Sequence, residues 1–154
     1  MRLVLPEGKA EVLEDCVKIA RTLPDYFTAT GVSALQADAD CQDLYAEVQG
    51  GHVVAFAIVG KKSEFVREIL WMAVDRDRQG AGIGSTLLAA VEDELRLTGA
   101  RILEVKTLAA SAEYAPYEKT RRFYDRAGFM LLETIHPYPG WDEDSPCAIY
   151  VKAL

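Results

Sequence analysis

Gln79-Gly80-Ala81-Gly82-Ile83-Gly84 is the stretch from which the fold is read. It stands between a strand-like apolar segment, Glu68 to Val74, and a run in which Ile83, Leu87, Leu88, Val91 and Leu95 recur at helical spacing. The first turn of such a helix carries N–H groups without internal partners, and the macrodipole adds partial positive charge there. Glycines let an anion such as a pyrophosphate approach that backbone closely. Two familiar phosphate loops do not fit. A Walker loop needs a lysine before its Ser or Thr, and Gly84 is followed directly by Ser85-Thr86. A dinucleotide GxGxxG would place its third glycine at Ser85 or Leu87, and only one strand-helix-strand unit is present, although Glu104 stands at a suitable distance for the acidic residue of that pattern. A tight strand-to-helix turn with no ligand stays open on the glycines alone.

Working outward, Ala10 to Leu23 reads as a helix ended by Pro24, with Val12, Leu13, Val17, Ile19, Ala20 and Leu23 on its apolar side. A short helix is expected near Ser33 to Ala39. Asp43 to Gln49 and His52 to Val59 read as strands joined by a Gly50-Gly51 turn. Ile69 to Val74 is apolar on both faces and belongs in the middle of a sheet. Beyond the glycine loop and its helix come a strand (Arg101 to Thr107), a helix (Pro116 to Ala127) stopped by Gly128, and two closing strands (Phe129 to Thr134 and Cys147 to Val151). Met1 to Leu5 fits a further short strand. The expected architecture is a mixed α/β sheet with helices on both faces, built as one domain over residues 1–154.

Composition narrows the function classes. Half of the 154 residues are hydrophobic, as in an ordinary globular protein, and no run is long and apolar enough to span a membrane. The interrupted N-terminus lacks a signal-peptide core, so a cytoplasmic location is expected. A net charge of −7 argues against general nucleic-acid binding and suits solubility or a cationic substrate. Cys16, Cys41 and Cys147 form no CxxC pair, and His52 and His136 lack metal-like spacing, so neither a disulfide framework nor a metal site is expected.

Gln79-x-x-Gly82-x-Gly84 resembles the Q/R-x-x-G-x-G/A motif of the GNAT family of N-acetyltransferases. The strand and helix order is similar across nearly the whole chain, Phe123-Tyr124-x-x-x-Gly128-Phe129 resembles a second family segment, and Trp141 to Lys152 resembles the close of some small bacterial members. The resemblance implies an α/β (α+β) fold with a mostly antiparallel sheet of about seven strands. It implies acetyl-coenzyme A as cosubstrate and a small amine or a peptide as acceptor, often in a homodimer. Gln79, Gly80, Ala81, Gly82, Gly84 and Ser85 then surround the pyrophosphate, and Val74 pairs through its backbone with the pantetheine arm, in a gap where its strand splays from the next. An asparagine that many members carry after that next strand is missing from Lys106-Thr107-Leu108.

The chemistry asks for two proton-handling groups. An alkylamine, with a pKa of about 10.4, is mostly protonated at neutral pH and must lose a proton before attack, while the departing thiolate gains from a donor. Under the resemblance Tyr124 is the general acid, although Tyr117, Thr120, Tyr124 and Ala127 share a helical face that also suits core packing. Glu68 is the candidate base. Strict alternation puts it on the face of Leu70, Met72 and Val74, where apolar neighbours favour proton uptake; a solvated glutamate beside Arg67 fits equally. Lys119, Arg121, Arg122 and Arg126 fit a solvated helix face better than a phosphate site. Acidic and aromatic residues in Asp25 to Asp43 and His136 to Ser145 suit a cationic acceptor. A non-catalytic acyl-coenzyme A sensor and an acetyltransferase acting on protein lysines or N-termini are the competing functions.

Overall fold

The computed structural model describes residues 9–154. Along them run α1 (Lys9–Arg21), α2 (Ala29–Cys41), β1 (Asp43–Gln49), β2 (His52–Lys61), β3 (Val66–Val74), α3 (Ile83–Leu97), β4 (Ile102–Leu108), α4 (Pro116–Arg126), β5 (Met130–Ile135) and β6 (Cys147–Ala153). The strands form one six-stranded sheet in the order β1-β2-β3-β4-β6-β5. Six strands stand where about seven were expected; the missing one, Met1 to Leu5, lies outside the described residues.

Two layers of helix sandwich the sheet, because its central strands β2 and β3 contribute apolar side chains to both faces. Val17, Ala20, Leu35 and Ala39 of α1 and α2 pack with Leu44, Phe56, Ile58 and Ala73 on one face. Ile83, Leu87, Val91 and Leu95 of α3, with Tyr124 of α4, pack with Ala57, Ile69, Leu103, Val105 and Tyr150 on the other. Local chemistry sets the helix ends. α2 begins earlier than its apolar pattern suggests because Thr28 caps it, its hydroxyl accepting from Gly31 N–H at 3.0 Å. α1 stops short of Leu23 because Thr22 and Leu23 N–H turn to the tighter carbonyls of Ile19 and Ala20.

One seam positions everything that follows. β3 and β4 are parallel, while the other neighbours in the sheet are antiparallel. Their register runs from Val66↔Ile102 to Ile69↔Val105 and then stops. Leu70–Val74 and Lys106–Leu108 continue as strands with no partner across the seam. The sheet therefore opens into a wedge, its apex at Ile69 and Val105.

Candidate active site

The rim of the wedge on the α3 side is built by the glycine loop. Asp75 N–H donates to Val54 C=O at 2.8 Å, so by strand alternation the N–H and C=O of Val74 face the wedge. Gln79 Nε2 donates to that carbonyl at 3.3 Å. Gly82 is the N-cap of α3 with φ +79°, a left-handed backbone, and supplies no capping side chain. The first-turn N–H groups of α3 are thus left without a side-chain acceptor at an exposed surface. Gly84 serves differently. A Cβ there would sit 3.3 Å from both the Phe123 ring and a Val74 methyl, so its absence lets α3, α4 and β3 meet closely.

Between α3 and α4 lies an open groove of about 360 Å³ lined by Ser85, Glu92, Lys119, Phe123, Arg126 and Lys152. The basic run on α4 divides here. Lys119 and Arg126 face the groove, whereas Arg121 donates to Leu108 C=O at 2.8 Å and Arg122 pairs with Glu118 at 2.6 Å. Lys152 is held by both Glu92 oxygens, at 2.8 and 2.9 Å. Tyr124 is buried beside this groove, its ring edge-on to Phe123 and Phe129 at 5.2 Å each. Burial, and to a smaller degree the neighbouring Tyr117, pushes its phenol well above the ordinary tyrosine value.

Glu68 lies elsewhere than alternation predicts. Ile58 pairs with Trp71 and Val59 with Ile69, so Leu70 is an extra residue in β3. This bulge turns Leu70 and Trp71 together toward the α1–α2 layer and reverses the phase below it. Glu68 therefore faces the α1–α2 side, opposite Met72 and Val74, and its neighbour is a cation rather than apolar groups. Lys106 Nζ donates to Glu68 Oε1, and both side chains are about 85% buried, with 14% and 15% exposed. Burial pulls the Lys106 ammonium down, but the hydrogen bond and charge of Glu68, then Glu104 and Tyr138, outweigh it and hold the ammonium above its usual range. Glu104 in turn takes Lys62.

Two further walls close on this side. Trp71 Nε1 donates to Asp38 at 2.6 Å, and Phe27 stacks on Trp71 at 5.8 Å. Tyr26 Oη donates to Pro116 C=O at 2.7 Å and Tyr114 Oη to Asp25 C=O at 3.0 Å, tying the α1–α2 connection to the start of α4. From the β5–β6 loop, the Tyr138 ring comes to 5.6 Å from Lys106 Nζ. Residues 22–43 and 136–146 together carry Asp25, Asp38, Asp40, Asp43, Asp142, Glu143 and Asp144 and no Lys or Arg.

The structure thus gathers Val74, Gln79, Gly80, Ala81, Gly82, Gly84, Ser85 and Tyr124 on the α3–α4 side and sets Glu68 on the other. Sequence reasoning passed over Lys106 and Trp71, which pair with Glu68 and Asp38. The signal for Lys106 was available, since alternation within β4 puts it on the face of Glu104. Among the described residues no group of three His, Cys, Asp or Glu side chains is placed to hold a metal ion, and no helix is long and apolar enough to cross a membrane.

Residues 40–131 match the family model described as the acetyltransferase (GNAT) domain. Among solved structures, the chain is similar to a GNAT-family protein from Desulfovibrio desulfuricans, at 26% identity over 99% of this chain and 96% of that one, with a TM-score of 0.79. It is similar to the ribosomal-protein-S18-alanine N-acetyltransferase of Escherichia coli, at 22% identity over 92% and 86% of the two chains, with a TM-score of 0.70. It also resembles a GNAT family acetyltransferase from Elizabethkingia anophelis with acetyl-CoA bound, at 17% identity over 79% and 82%, with a TM-score of 0.66. The last two likenesses show the fold alone. No curated protein matches the chain in sequence.

Proposed function

Since the chain belongs to the GNAT acetyltransferases, enzymes that draw their acetyl group from acetyl-coenzyme A, we propose that it acetylates a primary, positively charged amine by direct attack within a ternary complex. The half-made seam between β3 and β4 carries this reading. It offers a slot with unpaired backbone on the β3 wall, into which an extended amide-bearing arm fits as an added strand. The pyrophosphate then lies on the uncapped start of α3, around Gln79, Gly80, Ala81, Gly82, Gly84 and Ser85. Gln79 yields the Val74 carbonyl as the arm enters. The nucleotide end follows the groove toward Lys119 and Arg126.

The two sides of the wedge divide the work. The thioester arrives from the α3–α4 side, where a backbone N–H at Val74 stabilises charge building on its oxygen. The departing sulfur meets Tyr124. A thiol has a pKa of about 8.5 and an ordinary tyrosine about 10, and Tyr124 is pushed higher still. Its phenol therefore works as a hydrogen-bond donor that stabilises the thiolate rather than as an acid that fully surrenders its proton. The amine enters from the α1–α2 side, between the segments 22–43 and 136–146, which carry acidic residues and no lysine or arginine, and Glu68 receives its proton with the Lys106 ammonium alongside.

The test is thermal unfolding with and without acetyl-coenzyme A, with NAD as control, followed by thiol release across a panel of amines. A ligand at about a hundred times its dissociation constant adds roughly 2.7 kcal/mol and raises the midpoint by several degrees. A rise with acetyl-coenzyme A alone, with thiol release for cationic amines, is expected. Absence of any shift at saturation overturns the reading.

A further inference from the structure

We propose that Tyr26 is a positioning residue for acetyl transfer: with Tyr114 and Tyr117 it clasps the start of α4 to the α1–α2 connection, and so sets where Tyr124 stands relative to the acceptor; this rests on the acetyl-transfer reading above. The wedge is joined at its apex by strand pairing, and beyond Ile69 and Val105 that pairing ends. Three phenols cross its open end instead. Tyr26 Oη donates to Pro116 C=O at 2.7 Å, Tyr114 Oη to Asp25 C=O at 3.0 Å and Tyr117 Oη to Tyr26 C=O at 3.5 Å. Each side thus donates to the backbone of the other. The Tyr117 ring also meets both of its fellows, Tyr26 at 5.2 Å and Tyr114 at 5.8 Å.

α4 is built in a way that needs such a tie. Of its eleven residues only Tyr124 is buried, and its N-cap, Ala115, supplies no capping side chain. A helix in a protein is held mainly by tertiary packing, and one with a single buried anchor can pivot about it. The other ties lie close to that anchor: Arg121 donates to Leu108 C=O, and Phe123 stands beside Gly84. The first turn is left to the clasp. Tyr117 and Tyr124 are seven residues apart, two helical turns, so they share a face.

The clasp has a second end on the acceptor side. Phe27, next to Tyr26, stacks on Trp71, which belongs to the unpaired stretch of β3. A contiguous chain therefore runs from Trp71 through Phe27 and Tyr26 to Pro116, and along α4 to Tyr124. Rings alone would let α4 slide, whereas a hydroxyl on a carbonyl fixes distance and direction together. The amine and the sulfur approach from opposite sides of the wedge, and a misplacement of about 1 Å can cost about 100-fold in rate.

Tyr26→Phe keeps the ring and removes one hydrogen bond. kcat for the amine is expected to fall about 3- to 10-fold, with acetyl-coenzyme A affinity unchanged by calorimetry. A double-mutant cycle separates positioning from general loosening. In a Tyr124→Phe background, Tyr26→Phe should change kcat by at most about twofold, because no phenol is left at the sulfur to misplace. Tyr114→Phe removes the neighbouring bond from an exposed ring; it should show the same dependence on Tyr124 and serves if Tyr26→Phe fails to fold. Losses that multiply in the double variant, or an unchanged kcat in either single variant, overturn the positioning role while leaving the function standing. Absence of thiol release by the wild type with every amine tested overturns the reading on which it rests.

Discussion

At the scale of single residues, Tyr124 and Glu68 separate cleanly in what they should do to the reaction. Tyr124→Phe removes one charge-assisted hydrogen bond to the forming thiolate, of about 1.5–3 kcal/mol. Turnover is expected to fall about 10- to 100-fold, with acetyl-coenzyme A affinity unchanged. Because burial raises the Tyr124 phenol, this group stays protonated through neutral and mildly alkaline solution. It should contribute no alkaline loss of rate below about pH 10. Glu68→Gln should lower kcat/KM about 10²- to 10⁴-fold, the usual size of a lost general base. An unchanged kcat/KM removes Glu68 from the mechanism. Its partner Lys106 stays charged near neutrality. The Lys106 ammonium is raised on folding, so the stability it contributes is full below the ordinary lysine value and is lost only as pH climbs through the raised one.

At the scale of elements, the start of α3 concentrates the binding function in backbone geometry. Gly82 and Gly51 have nearly the same left-handed φ, +79° and +82°, and neither has an atom near a would-be Cβ. Alanine at either position costs about 1–2 kcal/mol of stability, a fall of a few degrees in Tm. Only Gly82→Ala should also weaken acetyl-coenzyme A, since Gly51 lies in the β1–β2 turn; equal binding by the two variants would count against the α3 site. This element was legible in sequence because glycines, an apolar strand and a periodic helix are local signals. The same locality explains the misses. The bulge at Leu70 arises from the pairing of β3 with β2, and nothing within β3 announces it, so Glu68 was assigned to the wrong face. α2 was underestimated because its first turn is held by Thr28 and not by apolar spacing.

At the scale of the whole molecule, charge is unevenly placed. The groove between α3 and α4 presents Lys119 and Arg126, while both walls on the α1–α2 side carry acidic groups without lysine or arginine. For a cationic amine, kcat/KM should fall as salt rises from low to physiological ionic strength, and for a neutral amine it should hardly change, because screening acts on the charged approach alone. A preference for anionic acceptors would refute the cationic reading. The parallel seam has a consequence of another kind. It divides the sheet into two leaves, β1-β2-β3 and β4-β6-β5, each stitched internally by antiparallel pairs and joined along a spine from Val66↔Ile102 to Ile69↔Val105. The first leaf is a meander whose strands meet near neighbours in the chain, whereas β4 meets β3 only across α3 and meets β6 only across α4 and β5. The spine is the shortest join in the sheet, and a molecule lodged in the gap beyond it touches both leaves, a bookbinder's thread between two halves that are each stitched separately.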